Sequence, residues 1–545
     1  MVDVNYSKLQ ALIVDDFDSF RLSVSKMLQD IGIQRVDSAV NGSEALRQCR
    51  HKAYDLILCD HNLGKGKTGQ QVLEELRHHQ LPSSDSLFLL ISAESSKSII
   101  MAAYDYEPDA YLTKPITNKI LEQRLVRLFA QRNKMAPIMG AIKEKQLDVA
   151  IALCCKEIAA EGRYTNQCQK LLANLYLQLG DYPKAEAVYR EVLEMRQLDW
   201  AQVGMARVKK MQGDMLSAQQ WLEEAMVSSP MAMKAYDLQA DIYREQEAYD
   251  RLQNILEKAV DISPLSILRQ QHLGEVALRN NDVVTATHAY RRTIKLGENS
   301  CYDCVDNHLG FVRATLALFK EDKSLAKPLL RDALKTLTEI DQRFGKTPEQ
   351  KLLTNLMEAQ LCVCQGENGK AEDIMKSIQL LLKEGEVIIN LDAEVELVKS
   401  LRATGQKTAA DELLRDLLDR HSGRESDLEK IDALLEEPAS AKNRSKVAEI
   451  NKTGIAFYKS ENFPAAVQCF ENAQQVFPNH IGIRLNLVQA LIDKLKTNRI
   501  ETDLELAQNT LDKVGERLTA DHEQFSRYRQ LVEMLRTLGS AHRPH

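Results

Sequence analysis

The sequence predicts an α/β fold, a doubly wound five-stranded parallel sheet, followed by an all-α superhelix of stacked helix pairs. Three observations carry this. Up to about residue 130, short β-branched runs alternate with amphipathic stretches, as in a sheet with crossover helices. Beyond about residue 135 strand signals almost vanish and a period of about 34 residues takes over. Gly (23) and Pro (13) make up about 4% and about 2% of the 545 residues, against usual shares of ~7% and ~5%. That is too little turn punctuation for a many-stranded sandwich or barrel.

The predicted strands are Leu9–Asp16, Arg35–Val40, Tyr54–Asp60, Leu87–Ser92 and Ala110–Thr113. The first, third and fourth are nearly continuous apolar runs, as expected of strands covered on both faces. Between them the pattern predicts helices near Phe17–Ile31, Ser43–His51, Gln70–His79, Ser95–Tyr106 and Thr117–Lys134. In an open parallel sheet, ligands bind outside the carboxyl ends of the strands. Here Asp15 and Asp16 end the first strand, Asp60 the third and Ser92 the fourth, while Lys114-Pro115 follows the fifth. One rim thus receives three carboxylates, a hydroxyl and a lysine. Any one Asp at a strand end is ordinarily a cap or a solvated loop residue; five suitable residues at the matching strand ends are not. Three crowded carboxylates repel and raise one another's pKa values. Mg²⁺ relieves that repulsion through hard oxygen ligands. The set suits phosphoryl transfer, which needs mostly positioning and charge stabilisation.

These residues resemble the response-regulator receiver domain of two-component signalling, over residues 9–130, with a flavodoxin-like fold. The resemblance implies that Asp60 is the phospho-acceptor and that Asp15 and Asp16 are the acidic pair for Mg²⁺, with Asp60 and the backbone carbonyl of Asn62 completing the protein ligands. It implies that Ser92 and Lys114 hold phosphoryl oxygens, that Tyr111 is an aromatic switch, and that Lys114-Pro115 carries a cis peptide. The donor would be a sensor histidine kinase or phosphotransfer protein. Asn62 and Glu94 flank the acceptor as in chemotaxis-type receivers, which implies a phospho-Asp60 lifetime of minutes or less. The loop His61-Asn62-Leu63-Gly64-Lys65-Gly66-Lys67-Thr68-Gly69 departs from the common pattern. It lacks the usual Pro, is one residue longer and is more basic.

Three other motifs are decoys. Gly66-Lys67-Thr68 follows a strand and precedes a helix, but the first Gly of a phosphate-cradling loop is His61 here. Cys301-x2-Cys304 and Cys362-x-Cys364 lie nearly sixty residues apart in the sequence and read as small residues packed between helices, not zinc half-sites. His78-His79 reads as a pair complementing a helix dipole.

After residue 135, Tyr182, Met215, Tyr249 and Val283 recur in steps of 33, 34 and 34, and Leu147 sits 35 before the first. Gly180-Asp181-Tyr182 precedes Ala185-x3-Tyr189, and Asn281-Asp282-Val283 precedes Ala286-x3-Tyr290. Gly454, Asn462-Phe463, Ala466-x3-Phe470, Ala473 and Pro478 repeat the pattern. This resembles the tetratricopeptide repeat. Small residues at 173, 206, 240, 274 and 454 let paired helices approach closely, and neighbours must stack because one pair cannot bury its apolar face. Gly366 with Ala371 and Gly405 with Ala410 look like eroded repeats, Glu436–Ala441 is the expected linker, and Ala541–His545 an expected frayed tail. The domain reading is 1–134 receiver, 135–300 repeats, 301–435 degenerate helical repeats, and 436–545 a further repeat with helices.

The resemblance puts the concave face on each repeat's first helix, with Lys170, Asn174, Arg207, Lys210, Lys234, Arg244 and Arg279 among its positions and Asp237, Asp241, Glu245 and Glu275 beside them. The mixed sign fits a protein or peptide ligand rather than a simple clamp for acidic tails. The net charge of -7 argues against bulk binding of nucleic acid, and no helix-turn-helix on a basic face is evident, which leaves a DNA-binding regulator as the weaker alternative. The amino terminus lacks a secretory pattern, the most apolar stretch (Leu87–Ala93) is far short of the ~20 residues that span a bilayer, and ten cysteines fit reduced cytoplasmic thiols. No second catalytic cluster is visible beyond residue 135, so the chain reads as a non-enzymatic regulator whose receiver acts only on its own phosphoryl group. An adaptor for a protease or a sequestering partner of another regulator stays open. The expected route of output is the last strand and helix of the receiver, altering its contact with itself or with the repeats.

Overall fold

The computed structural model describes residues 5–81, 86–93, 105–345, 347–383, 389–477, 479–498, 500–515 and 517–540. Glu94, most of the helix expected over 95–106, Pro478 and the tail 541–545 lie outside the described residues. The chain divides into two compact units, residues 1–276 with 288–307, and residues 277–287 with 308–545.

The first unit opens on a five-stranded sheet of β1 (Gln10–Val14), β2 (Arg35–Ala39), β3 (Leu56–Asp60), β4 (Leu87–Ser92) and β5 (Ala110–Thr113). All strands are parallel, in the order β2-β1-β3-β4-β5. Helices α1 (Asp18–Ile31), α2 (Gly42–His51), α3 (Gly69–His78) and α4 (Asn118–Lys143) cover it. The alternation of side chains along β1, β3 and β4 splits the core in two. Ala11, Ile13, Leu58 and Leu89 pack with Val24, Leu28, Leu121 and Leu125 of α1 and α4. Leu12, Ile57 and Leu90 pack with Leu46, Val72 and Leu76 of α2 and α3. Burial on both faces is why these strands read as continuous apolar runs. Residues 105 and 106, expected to close a helix, form a turn before β5.

The helix expected to stop at Lys134 runs on to Lys143, through Pro137. Met135, Ile138 and Ala141 on its extension pack against α5 (Leu147–Ala159), so the last helix of the sheet domain is also the first of the helix pairs. The pairs continue as α6 (Thr165–Gln178) with α7 (Tyr182–Met195), α8 (Asp199–Met211) with α9 (Met215–Ser228), α10 (Met233–Glu245) with α11 (Tyr249–Ile262), and α12 (Ile267–Arg279) with α13 (Val283–Gly297). Each second helix begins at a position the repeat singled out. Two residues before each start the backbone is left-handed, at Lys145 (φ 59°), Gly180 (73°), Gly213 (82°), Glu247 (54°) and Asn281 (63°). Glycine takes this conformation freely and other residues at a penalty, which explains Gly at two of the five. Asp181 and Asp214 then cap their helices, accepting from the backbone of Lys184 and Ser217. A Cβ on Gly204 would sit 2.2 Å from Tyr189 Cε1, and one on Gly274 2.9 Å from Tyr290 Cδ2, so glycine is what lets these rings in.

The second unit carries the same turn. Gly366 (φ 83°), Gly405 (81°) and Glu461 (57°) lie two residues before helices Asn368–Lys383, Lys407–His421 and Phe463–Val476. A Cβ on Gly454 would sit 2.5 Å from Phe470 Cε1. The run expected as a linker is held in place: Pro438 and Ser440 are buried, and the Asp432 carboxylate accepts from the Ala439 backbone at 2.6 Å and from Asn443 at 2.8 Å. Among the described residues, no helix is long and apolar enough to cross a membrane.

Ala185 is fully buried between helices, whereas Ala187, two residues on, is exposed. Ala185→Leu is expected to destabilise the repeats by about 1–3 kcal/mol through overpacking, and Ala187→Leu by much less. Urea unfolding of the full chain checks this; equal midpoints for the two variants would contradict the packing.

Candidate functional site

The strand ends converge as the sequence predicts. Asp15 and Asp16 follow β1, Asp60 is the last residue of β3, Ser92 the last of β4, and Lys114 follows β5. Asp15, Asp60 and Ser92 are buried and Asp16 is exposed. One carboxylate oxygen from each of Asp15, Asp16 and Asp60 lies within 4.8 Å of the others. The Lys114 ammonium bridges two of them, 2.9 Å from Asp15 Oδ2 and 2.8 Å from Asp60 Oδ2.

Local structure fixes each group. Asp15 Oδ1 accepts from the Phe17 backbone N–H at 2.9 Å, and Arg21 donates to the Asp15 carbonyl at 2.7 Å. Lys114 lies over the Phe20 ring, 4.1 Å from its centroid, and its stem leads into a cis Lys114-Pro115 peptide. After Asp60 the chain forms a loop closed by Gly69 N–H donating to the His61 carbonyl at 2.9 Å. Asn62 Oδ1 accepts from the Gly64 backbone at 3.2 Å, and Gly64, at φ 71°, lies against Asp16. A Cβ on Gly69 would sit 2.0 Å from the Asp60 carbonyl oxygen. Only glycine lets α3 begin so close to the acceptor strand. Tyr111 packs half-buried on the core cluster beneath α2 and α3.

The electrostatics follow from burial. Removal from water pushes the Asp60 carboxyl above the usual range; Lys114 opposes this and Asp15 adds to it. Burial pulls the Lys114 ammonium down, but its hydrogen bonds to Asp60 and Asp15 outweigh that and hold it above its usual value. The site is thus a crowded acid cluster with one shared internal cation. Its donor set, carboxylate oxygens within reach of one another with one residue open to solvent, fits a hard divalent cation. Among the described residues it is the one group of three or more acidic, His or Cys side chains close enough to share a metal.

The decoy residues are spent structurally. Thr68 caps α3 in a capping box with Gln71, and Lys67 pairs with Glu75 at 2.9 Å. In the repeats, Lys170, Asn174, Arg207 and Arg244 do line one cavity, of about 830 Å³. Lys210 does not; it pairs with Glu245 at 2.7 Å. Sequence reasoning missed Trp200, Arg269 and His272, which line the same cavity, and Asp105, Tyr106 and Glu107, which reach it from the sheet domain. Only the repeat period could have pointed to the first three, since they lie on the same first helices.

Residues 11–126 match the family described as the response regulator receiver domain, and residues 168–199 match the tetratricopeptide repeat. The chemotaxis protein CheY of Pseudomonas aeruginosa is 29% identical over 131 residues, covering 23% of this chain and 99% of that protein. CheY-3 of Vibrio cholerae is 32% identical over 127 residues, covering 22% of this chain and 92% of that protein. Among solved structures, the chemotaxis protein CheY4 of Vibrio cholerae is 28% identical, with 22% of this chain and 98% of that chain covered and a TM-score of 0.21.

Because folding raises the Asp60 pKa, the native state holds that proton more tightly than the unfolded chain does. At neutral pH the ionised carboxylate therefore opposes folding, and this opposition fades as the pH falls through the raised value toward the usual carboxylate range. Asp60→Asn is expected to raise the thermal midpoint of the sheet domain at neutral pH, with the gain shrinking in acid. A variant less stable than wild type at neutral pH would contradict the assignment.

Proposed function

Because the chain belongs to the response-regulator family, with a receiver at residues 11–126, we propose that Asp60 accepts a phosphoryl group from a histidine kinase or phosphotransfer protein. The output we propose is protein binding through the helical repeats. The observation that carries the acceptor assignment is the Asp60 carboxylate held 2.8 Å from Lys114 at the rim of the sheet, beside Asp15 and Asp16.

The residues divide the work as follows. An Asp60 carboxylate oxygen attacks phosphorus, forming a P–O bond as the donor's P–N bond breaks. The bonding pair leaves on the donor imidazole, which takes up a proton, and Asp60 becomes an acyl phosphate. Lys114, already an ion-pair partner of Asp60, then pairs with a phosphoryl oxygen as that charge moves outward. Ser92, buried at the end of the neighbouring strand, offers its hydroxyl to a second oxygen. Asp15, Asp16, Asp60 and the Asn62 carbonyl would hold Mg²⁺, which neutralises phosphoryl charge when bound. Tyr111, half-buried on the core, changes its packing in this reading when Ser92 acquires a ligand. The chain acts on no substrate besides its own phosphoryl group in this reading, and works in the cytoplasm.

Incubation of the full chain with a labelled small phosphodonor and Mg²⁺ is expected to label wild type and not Asp60→Asn, with label lost within minutes after the donor is removed. Chelation of Mg²⁺ should abolish labelling, and Lys114→Ala should reduce it by at least about tenfold, the order for losing one charge-assisted hydrogen bond. Undiminished labelling of Asp60→Asn would refute the acceptor; label stable for hours would refute the short lifetime.

A further inference from the structure

The sequence pointed to the last strand and helix of the receiver as the face that signals to the repeats. Besides the packing of α4 on α5, polar contacts reach the later repeats from elsewhere: α3, the loop before it and the turn before β5. Gln71 on α3 donates to the Glu298 carbonyl at 2.9 Å, and Lys67 to the Asn299 carbonyl. These carbonyls lie just past the end of α13, where the last C=O groups of a helix lack partners of their own and favour cations. Glu74, 1% exposed, accepts from the Cys301 backbone at 3.1 Å and from the Ser300 hydroxyl. Tyr302 lies edge-on to His78 and stacks on Tyr106, with centroids 5.3 and 6.3 Å away. The receiver's α3 and the loop before it therefore supply donors and an acceptor to one turn of the repeat array.

A second contact lies in the cavity. Arg269 on α12, 6% exposed, is bidentate to Asp237 of α10 at 2.8 and 2.9 Å and donates to Asp105 of the receiver at 2.9 Å. Glu107 pairs with Lys234 of α10. The pair with Lys234 holds Glu107 below the usual carboxylate range, and Glu107 keeps a left-handed backbone (φ 50°) that a side chain adopts at a penalty. Two carboxylates of one short segment thus sit on two cations of the concave face. The first contact adjoins the acceptor, since α3 begins at Gly69 against the Asp60 carbonyl, while Asp109 ties the acidic segment to the start of β4, accepting from Phe88 N–H at 2.8 Å.

We propose that Asp105-Tyr106-Glu107 is an internal acidic ligand of the repeat groove, latched by Arg269 and Lys234, and that esterification of Asp60 loosens it through α3. The groove is then open to an acidic segment of a partner protein that reuses the same two cations. This rests on Asp60 being the acceptor, and the experiment separates the two.

Hydrogen exchange of the full chain, read by mass spectrometry over 267–279 and 296–302, is compared in wild type, Asp105→Lys and the surface variant Glu107→Lys. Charge reversal is expected to speed exchange in both segments by at least about tenfold, the order for one lost charge-assisted hydrogen bond. Unchanged exchange in both variants overturns the latch. Wild type with beryllofluoride and Mg²⁺ is expected to resemble the variants. If it does not, while labelling shows Asp60 accepting phosphoryl, the coupling through α3 is overturned; if Asp60 takes no label, the acceptor reading fails and the charge reversals alone judge the latch. A fluorescent peptide of residues 101–110 is expected to bind the doubly reversed chain at least about tenfold tighter than wild type, and to lose that gain on adding Arg269→Glu. Equal affinity for all three overturns the groove assignment.

Discussion

The Lys114 ammonium between Asp15 and Asp60 is the constraint on which the receiver's arrangement depends. Two carboxylates that close in a half-buried site would force one to stay protonated. A cation 2.9 and 2.8 Å away lets both strand ends keep their acids at the same rim. Its own position is set by β5 and by the turn after it, so the spacing of β1, β3 and β5 in the sheet becomes the spacing of the charges. Desolvation still wins at Asp60, whose carboxyl stays raised. That residual imbalance is what a divalent cation would relieve, by adding positive charge beside the carboxylates.

The repeat array solves a different problem with one device. The five helix pairs from α4 to α13, and three more in the second unit, turn through a left-handed residue two positions before their second helix, and Gly204, Gly274 and Gly454 make room for a neighbour's ring. Because α4 belongs both to the sheet domain and to the first pair, receiver and array share a continuous helix. The array can then follow the receiver closely enough for α3 and residues 105–107 to meet the turn at 298–302 and the α10–α12 surface. In the proposed reading, the latch and Asp60 are linked through α3 and these contacts, not through a flexible tether.

Much of this was legible because the chemistry sits where local pattern ends. Asp15, Asp16, Asp60, Ser92 and Lys114 each follow an apolar run, so periodicity located the strands and residue type supplied the site. The repeats were legible from Gly-Asp-Tyr and Ala-x3-Tyr, since each is demanded by the turn or the close approach it serves. The boundary at 134 was not legible, because nothing in the amphipathic pattern distinguishes a helix that ends there from one that packs on α5 beyond it. Nor did local pattern reveal that Glu436–Ala441 is pinned by Asp432. Arg269 escaped notice because its partner Asp105 lies 164 residues away, and distant ion pairs leave no mark on either neighbourhood. Lys210 shows the converse: its pattern placed it on the concave face, where Glu245 claims it.

The most direct test of the whole account is the amide spectrum of the full chain, recorded before and after adding beryllofluoride with Mg²⁺. Amides at 13–17, 58–64 and 111–116, and those of α3, should move in wild type and stay in place in Asp60→Asn. A wild-type spectrum unaltered at all of these positions would contradict a phosphoryl site built on Asp60.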